Sequence, residues 1–181
     1  MTIIKFIFIG LAAIMFLALV KKVFSMSSPV GKNEPFVIMS PFKATITRGG
    51  KPVANAQVKL NYSWNSGNAE EQEGFDEFFT TDTNGILSMP EIKRDIFVSR
   101  VQTTASNYSI EIKNGDEWDV IHSIGKKDPA LNGELNVELD MLSCELTDPL
   151  MIVVDMRRHV GSLYTTRCRA DQFKEFRTEE I

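Results

Sequence analysis

The chain has 181 residues, of which 43% are hydrophobic and 24% are charged, and its formal net charge is -4. This length and composition suit one globular domain with an appendage. The first thirty residues contain three lysines and no acidic residue, so subtracting their charge of +3 from -4 leaves -7 for the rest. An acidic domain is repelled by nucleic acid, and the sequence therefore argues against a nucleic-acid partner.

The N-terminus contains the most hydrophobic segment of the chain. Residues 6–20, FIFIGLAAIMFLALV, hold no charge, and extension to residue 3 gives eighteen residues if Lys5 reaches the headgroups. Such a helix is about 27 Å long, close to the roughly 30 Å hydrocarbon core of a bilayer. We therefore predict that residues 1–24 form a membrane anchor helix that contacts the lipid bilayer through residues 3–20. The alternatives are a cleaved signal peptide, with its site at Val23-Phe24-Ser25, and a buried core helix.

The orientation of this anchor rests on two opposing observations. Lys5 and the terminal amine face three lysines beyond the apolar segment, at positions 21, 22 and 32, and this near tie slightly favours a cytoplasmic domain. Cys144 and Cys168 favour the other side, because a pair outside any C-x-x-C spacing suits one disulfide in an oxidising compartment. In the cytosol they would be two small buried residues. The sequence alone leaves both the disulfide and the orientation open.

A short polar stretch divides the anchor from the rest of the chain. Residues 25–35, SMSSPVGKNEP, are rich in Ser, Pro, Gly and charge, and we predict a linker here. We predict the globular domain over residues 36–168 and a charged C-terminal tail over residues 169–181.

After the linker, hydrophobic residues recur at every second position, which is typical of half-buried strands. Asn114-Gly115 supplies a tight hairpin turn between two of these segments. Helical periodicity is confined to the anchor and, less clearly, to the tail from Ala170. The pattern predicts an all-β domain, an antiparallel two-sheet sandwich preceded by one N-terminal transmembrane helix. The alternating sets are Phe42, Ala44 and Ile46; Val58, Leu60, Tyr62 and Trp64; Tyr108, Ile110 and Ile112; Trp118 and Val120; and Leu135, Val137, Leu139 and Met141.

Residues 80–92, TTDTNGILSMPEI, support two interpretations. Against the calcium-loop pattern they supply Asp82, Asn84, Gly85 and Glu91, and only the first position fails, where Thr replaces Asp. A calcium loop needs a helix on each side, however, and the proline at position 90 would damage the exiting helix. We therefore predict a turn between two strands, in which Asp82 and Asn84 bond the backbone and Gly85 takes a positive φ. A nonstandard calcium site at Asp82, Asn84 and Glu91 is the alternative.

Two segments are similar to a known domain pattern. GGKPVANAQVKL at residues 49–60, followed by TTDTNGILSMP, resembles the G-x-P-x-x-x-A-x-V and T-D-x-x-G-x-x-x-x-P pattern of transthyretin-like and carboxypeptidase regulatory-like domains. More specifically, SPFKATITRGGKPVANAQV, NGDEWDVIHSIGKK and ELNVELDMLSCELTD resemble a family of small bacterial proteins of unknown function built around such a domain. The resemblance covers residues 36–148 and implies a transthyretin-like / carboxypeptidase regulatory-like β-sandwich. It implies no activity and transfers no site residue.

Residues with catalytic or ligating chemistry are few. The two histidines are His122 and His159, and His159 would pair with Cys144 or Cys168 in a dyad, but no local motif marks a nucleophile. We therefore assign no catalytic, cofactor-binding or metal-ligating residue and predict that the protein is not an enzyme.

Two charged runs are candidate partner surfaces, although solvated loops are the plainer interpretation of both. One is basic and the other precedes a predicted strand and is acidic. The basic run is Arg157, Arg158 and His159; the acidic run is Glu70, Glu71, Glu73, Asp76 and Glu77.

Two classes of function follow from these features. The first is a membrane-anchored, non-enzymatic β-sandwich module of a bacterial envelope, which docks a protein partner through loops such as residues 66–74 and 125–133. One version of it is an immunity protein against a secreted toxin. The second is a metal-dependent binder or small hydrolase that uses His122 and His159, or the loop with Asp82 and Glu91. We prefer the first, with a single pass through the bacterial inner membrane and a periplasmic domain; no cofactor and no small-molecule substrate is identified.

Overall fold

The computed structural model describes residues 31–65, 72–99, 103–127, 129–134, 138–154, 163–170 and 177–180. The predicted anchor, including its bilayer contact at residues 3–20, lies outside these ranges. Within them, no helix is long and apolar enough to cross a membrane.

Every regular element in the described ranges is a β-strand, as the alternating pattern predicts. The first strand begins at Gly31, so strand pairing starts inside the stretch predicted as a linker. The strands are β1 (Gly31–Met39), β2 (Phe42–Arg48), β3 (Lys51–Pro52), β4 (Gln57–Asn65), β5 (Gln72–Thr80), β6 (Ile86–Met89), β7 (Ile92–Ser99), β8 (Ala105–Asn114), β9 (Glu117–Lys126), β10 (Leu139–Glu145), β11 (Met151–Val154), β12 (Leu163–Thr166), β13 (Cys168–Arg169) and β14 (Arg177–Glu180).

These strands form three sheets. The largest has seven strands in the order β14-β11-β12-β9-β8-β4-β5, and its neighbours are antiparallel. A five-stranded sheet has the order β13-β10-β2-β3, with β6 also paired to β2, and β1 pairs with β7 in a two-stranded sheet. Strands β10 and β2 run parallel, so the five-stranded sheet is mixed. The prediction of a purely antiparallel sheet is wrong here.

One hydrophobic core joins the larger sheets. Val58, Leu60 and Ile110 from the seven-stranded sheet and Ala44 and Ile46 from the five-stranded sheet belong to the same buried cluster. The predicted alternation is confirmed in β2, β4 and β8, where these residues are buried and their neighbours along the strand are more exposed. The fold is all-β, and its two larger sheets are consistent with a sandwich.

The predicted alternation fails at Met141. The register of β10 against β2 shifts between Leu139 and Leu142, so an irregularity interrupts the strand. Met141 lies there with a φ of 57° and is 84% exposed, whereas Leu139 and Leu142 are buried. A bulge changes which residues face the core, and the prediction that Met141 continues the buried face is therefore wrong. Residues 135–137 of the same predicted strand lie outside the described ranges.

The hairpin between β8 and β9 confirms the predicted turn with a shift of one residue. Asn114 pairs with Glu117, so the loop is Gly115-Asp116, and Gly115 has a φ of 64°. A register irregularity after Ile110 then places two consecutive residues of β9, Ile121 and His122, in the interior.

Candidate functional site

The stretch with the calcium-loop spacing forms the predicted turn. Asp82 Oδ1 accepts hydrogen bonds from the backbone N–H groups of Asn84, at 2.8 Å, and Ile86, at 2.7 Å. Gly85 has a φ of 76°, which glycine adopts without steric cost. The carboxylate of Asp82 is therefore used to shape the connection between β5 and β6. In the described ranges, no group of three or more His, Cys, Asp or Glu side chains is placed to hold a metal ion.

His122 is a core residue. It is fully buried, and its ring centroid lies 5.4 Å from those of Phe42 and Tyr164 and 5.9 Å from that of Tyr108. Its Nδ1 lies 3.2 Å from Thr166 Oγ1. Burial lowers the pKa of His122 to about 3, so the ring is neutral at physiological pH. The side chain has no solvent access, and the hypothesis of a hydrolase or metal site at His122 gains no support from this placement.

The cysteine candidates are joined to each other. Cys144 of β10 and Cys168 of β13 are paired across the two antiparallel strands and form a buried disulfide. Neither has a free thiol, so neither supplies the nucleophile of the dyad considered with His159. His159 itself, with Arg157 and Arg158, lies outside the described ranges.

A network of buried charged and polar side chains lies inside the domain, and the sequence analysis does not predict it. Lys126 Nζ lies 3.2 Å from Glu134 Oε2, and both side chains are completely buried. Glu134 also accepts hydrogen bonds from the N–H of Ser40, at 2.7 Å, and from its Oγ, at 2.6 Å, while Asn132 N donates to Ser40 Oγ at 2.8 Å. The period-two pattern that turns Ile124 inward also turns Lys126 inward, and this was the available signal. The network ties residues 129–134 to β9 and to Ser40, which directly follows β1.

A cleft of about 350 Å³ opens near this network, at the start of β2 and β10. Phe42, Met89 and Leu139 form an apolar floor that belongs to the core, and Asn132 connects the cleft to Ser40. Its rim contains charges of both signs, so the cleft selects no single chemistry. Its lining residues are Pro41, Phe42, Lys43, Ser88, Met89, Leu131, Asn132, Glu138, Leu139 and Asp140.

The acidic run is not confined to a loop. Strand β5 begins at Gln72, so Glu73, Asp76 and Glu77 lie on a strand, whereas residues 66–71 lie outside the described ranges. The predicted docking segment at residues 66–74 is thus partly strand. The other one, residues 125–133, begins within β9, and its first buried side chain is Lys126.

Strand β5 exposes aromatic side chains on both of its faces. Phe75 is paired with buried Tyr62 and is 37% exposed, whereas Phe78 is paired with Lys59, on the outer face, and is 57% exposed. Phe75 stacks on Trp64 with a centroid distance of 5.2 Å and an interplanar angle of 6°. The stack with Trp64 fixes the ring of Phe75 at the rim of the sheet, so this apolar surface is presented in a defined orientation.

Ion pairs and cation–π contacts surround these aromatic rings. On the inner face, Arg94 pairs with Glu77 at 2.9 Å and lies 5.6 Å from the ring centroid of Tyr62. On the outer face, the ring centroids of Phe78 and Trp118 lie 6.2 Å apart, and Lys59 Nζ lies 5.0 Å from the centroid of the Trp118 ring. Cations thus already pack on aromatic faces on both sides of this part of the sheet.

Strand β5 is also an end strand of its sheet. All nine of its residues pair with β4 without a register shift, and no described strand pairs with its other edge. Natural edge strands are usually protected by charged side chains, proline or a bulge. Strand β5, QEGFDEFFT, has no proline and no register shift against β4, and its charged residues are Glu73, Asp76 and Glu77. The strand therefore combines exposed aromatic rings, acidic side chains and an edge that no described strand pairs with. We call β5 with Phe75 and Phe78 the β5 edge.

The described residues define an all-β protein with a buried disulfide and an open strand edge. Residues 42–149 match the family described as a domain of unknown function (DUF6795), and this match spans more than half of the chain. The chain therefore belongs to that family, in agreement with the predicted membership of a family of unknown function. No curated protein and no solved structure matches the chain.

Proposed function

We propose that this protein is a membrane-anchored, non-enzymatic module of a bacterial envelope that docks a protein partner through the β5 edge. The observation that carries the proposal is the exposure of Phe75 and Phe78 on an end strand that no described strand covers. The finer fold in this proposal is a transthyretin-like sandwich, for which the sequence resemblance is the support.

The energetic argument is that the β5 edge is unfavourable in water. Exposed large apolar side chains at an unpaired strand edge promote association, and contiguous exposed apolar surface often marks an interaction site. Burying the exposed part of an aromatic ring at an interface is a common source of binding free energy. The β5 edge therefore has the physical properties of a binding surface.

The non-enzymatic part of the proposal is supported by where the reactive side chains lie. His122 is buried with a strongly lowered pKa, and the two cysteines form a disulfide. Asp82 is hydrogen-bonded within a turn. Lys126 and Glu134 are completely buried and paired with each other, and Glu134 also accepts a hydrogen bond from the Ser40 hydroxyl.

The membrane and periplasmic parts of the proposal rest on the apolar N-terminus and on the disulfide. Residues 3–20 are long enough to span a bilayer, and a buried disulfide suits an oxidising compartment such as the periplasm. The full-length chain should resist extraction by carbonate and high salt and dissolve in detergent. Recovery of a soluble mature protein that begins near Met26 would replace the anchor with a signal peptide.

The docking function is tested by capture of the full-length protein from detergent-solubilised native membranes. The test variant is Phe78→Lys, and the matched control is Met141→Lys, which places the same charge at another exposed hydrophobic position. We expect one stoichiometric partner with the wild type and with Met141→Lys, and its loss with Phe78→Lys. Equal recovery with both variants, or no stoichiometric partner with the wild type, would overturn the proposal.

A further inference from the structure

We infer that the partner docks by adding an extended, basic segment to the edge of β5 that no described strand pairs with, as an eighth strand of the large sheet. This inference rests on the proposed function and specifies the chemistry of the partner. It follows from the backbone, the side chains and the charge of β5, which are considered in turn.

The backbone of β5 is ready for strand addition. Its pairing with β4 is continuous from Gln72 to Thr80, so the strand is held in an extended conformation over nine residues. A strand presents backbone N–H and C=O groups on both edges, and only one edge of β5 pairs with a described strand. An extended guest would satisfy the second set with main-chain hydrogen bonds, which supply affinity with little dependence on sequence.

The side chains of β5 provide sites for the two faces of such a guest. Successive residues of a strand point to opposite faces, so alternate guest residues would lie beside Phe75 and beside Phe78. Each of these rings is exposed and already packs on another aromatic side chain. Arg94 over Tyr62 and Lys59 over Trp118 show that cations pack on aromatic rings in this sheet. Lysine or arginine side chains of a guest would make the same kind of contact.

The charge of β5 selects the guest. The strand contains Glu73, Asp76 and Glu77 and no basic residue, and the chain after the first thirty residues carries a net charge of -7. Glu77 is already paired with Arg94. Asp76 accepts a hydrogen bond from Asn61 but pairs with no cation in the described part of the chain, so Asp76, together with Glu73, supplies the charge that attracts a guest. Opposite charges on neighbouring strands attract and like charges repel. A second copy of this chain would bring its own acidic β5 against the first, so the charge disfavours a β5-to-β5 dimer. A basic extended segment of a different protein fits both the edge and the charge.

The probe for this inference is a fluorescein-labelled octapeptide of alternating lysine and valine, titrated with the full-length protein in detergent and followed by fluorescence anisotropy. Two control peptides separate the contributions. Alternating glutamate and valine reverses the charge, and the lysine-valine peptide with every amide N-methylated keeps the charge but removes the backbone donors. We expect binding of the lysine-valine peptide and at least about tenfold weaker binding of both controls.

Variants of the protein place the peptide at the β5 edge. Phe78→Lys should weaken binding of the lysine-valine peptide by about tenfold or more, since it removes a ring and adds a repelling charge. Met141→Lys adds the same charge elsewhere and should leave the affinity unchanged. A Phe78→Lys protein with wild-type affinity would overturn the inference.

The remaining outcomes are also decisive. Undiminished binding of the N-methylated peptide would show attraction by charge alone and overturn strand addition. A concentration-dependent dimer of the wild type that Phe78→Lys abolishes would also overturn the inference, because a second copy of the chain would then occupy the β5 edge. Failure of the lysine-valine peptide to bind overturns the inference, while the docking function is judged separately by the capture of a partner that depends on Phe78.

Discussion

The ammonium group of Lys126 lies 3.2 Å from the carboxylate of Glu134, and neither side chain reaches solvent. Removing two charges from water is unfavourable, so such a pair persists only where the charges meet each other and further hydrogen bonds satisfy them. Ser40 donates such bonds to the Glu134 carboxylate through its backbone N–H and its hydroxyl. Each charge of the pair therefore depends on its partner.

Removal of Lys126 alone should be severely destabilising. Lys126→Met leaves the Glu134 carboxylate buried without its cation, and we expect a loss of about 3–5 kcal/mol in the free energy of unfolding. The double variant Lys126→Met/Glu134→Gln removes the uncompensated charge and keeps an acceptor for Ser40, so it should recover part of this loss. Urea unfolding of the three proteins measures the differences. A single variant at least as stable as the double variant would contradict the assigned role of the pair.

The Glu145 carboxylate should make stability depend on pH in the acid range. Its pKa is well below the ordinary value because the N–H of Gly50 and the N–H and hydroxyl of Thr147, together with the N–H of Gly49, donate to the ionised form. A pKa that is lowered on folding stabilises the native state fully above the unfolded pKa of about 4.3, and this contribution declines as the pH falls below it.

Glu145→Gln tests this relationship. The variant should be less stable than the wild type at pH 7, and the difference between them should shrink as the pH falls below about 4. Glu91→Gln, the same substitution at an exposed position, is the control. Urea unfolding across the acid range gives the profiles. A difference between wild type and Glu145→Gln that is constant with pH would be incompatible with a stabilising carboxylate.

Gly85→Ala should lower the stability of the domain more than Gly50→Ala does. Both glycines have positive φ, 76° and 74°, and alanine at such angles costs about 1 kcal/mol. At Gly85 an added Cβ would also lie 2.6 Å from the carbonyl oxygen of Ile46, whereas at Gly50 nothing lies within 4 Å. Thermal melts of the two variants should therefore rank Gly85→Ala as the less stable, and equal melts would remove the steric argument.

The same melts address the calcium alternative. Because Asp82 Oδ1 is hydrogen-bonded within the turn, wild-type curves with calcium and with chelator should superimpose. A calcium-dependent rise of several degrees, lost in Asp82→Ala and Glu91→Ala, would contradict the turn interpretation.

The disulfide should contribute strongly to stability. It joins residues 24 apart in sequence, and closing a loop of this size in the unfolded chain is worth about 3 kcal/mol in the chain-entropy model. The double variant Cys144→Ala/Cys168→Ala should unfold at correspondingly lower urea concentration. An unchanged midpoint would show that the disulfide adds no stability.

Local periodicity made much of the fold predictable. The alternation of Val58, Leu60 and Tyr62 in β4 and the Asn/Gly turns depend on neighbouring residues, and the structure confirms them. The exposed Met141 and the parallel pairing of β10 with β2 depend on contacts between distant segments. A bulge and a sheet order leave no periodic signal, so local periodicity cannot predict them.

The candidate site was less predictable for a related reason. Phe75, Phe78 and Phe79 are equally hydrophobic, and their exposure is decided by the position of β5 at the end of its sheet. The acidic residues of this strand are visible in the sequence, but such a run is equally typical of a solvated loop. The acidic charge can therefore be read from the sequence. The position of β5 at the end of its sheet cannot, because it depends on the order of the strands.

Docking at the β5 edge is tested most directly by a photo-crosslinking amino acid placed at position 78 of the full-length protein in its native cells. The same amino acid at position 141, the other exposed hydrophobic site, is the matched control. We expect one discrete adduct with a second protein from position 78 on illumination, and none from position 141. The same adducts from both positions, or no adduct from position 78, would contradict a partner at the β5 edge.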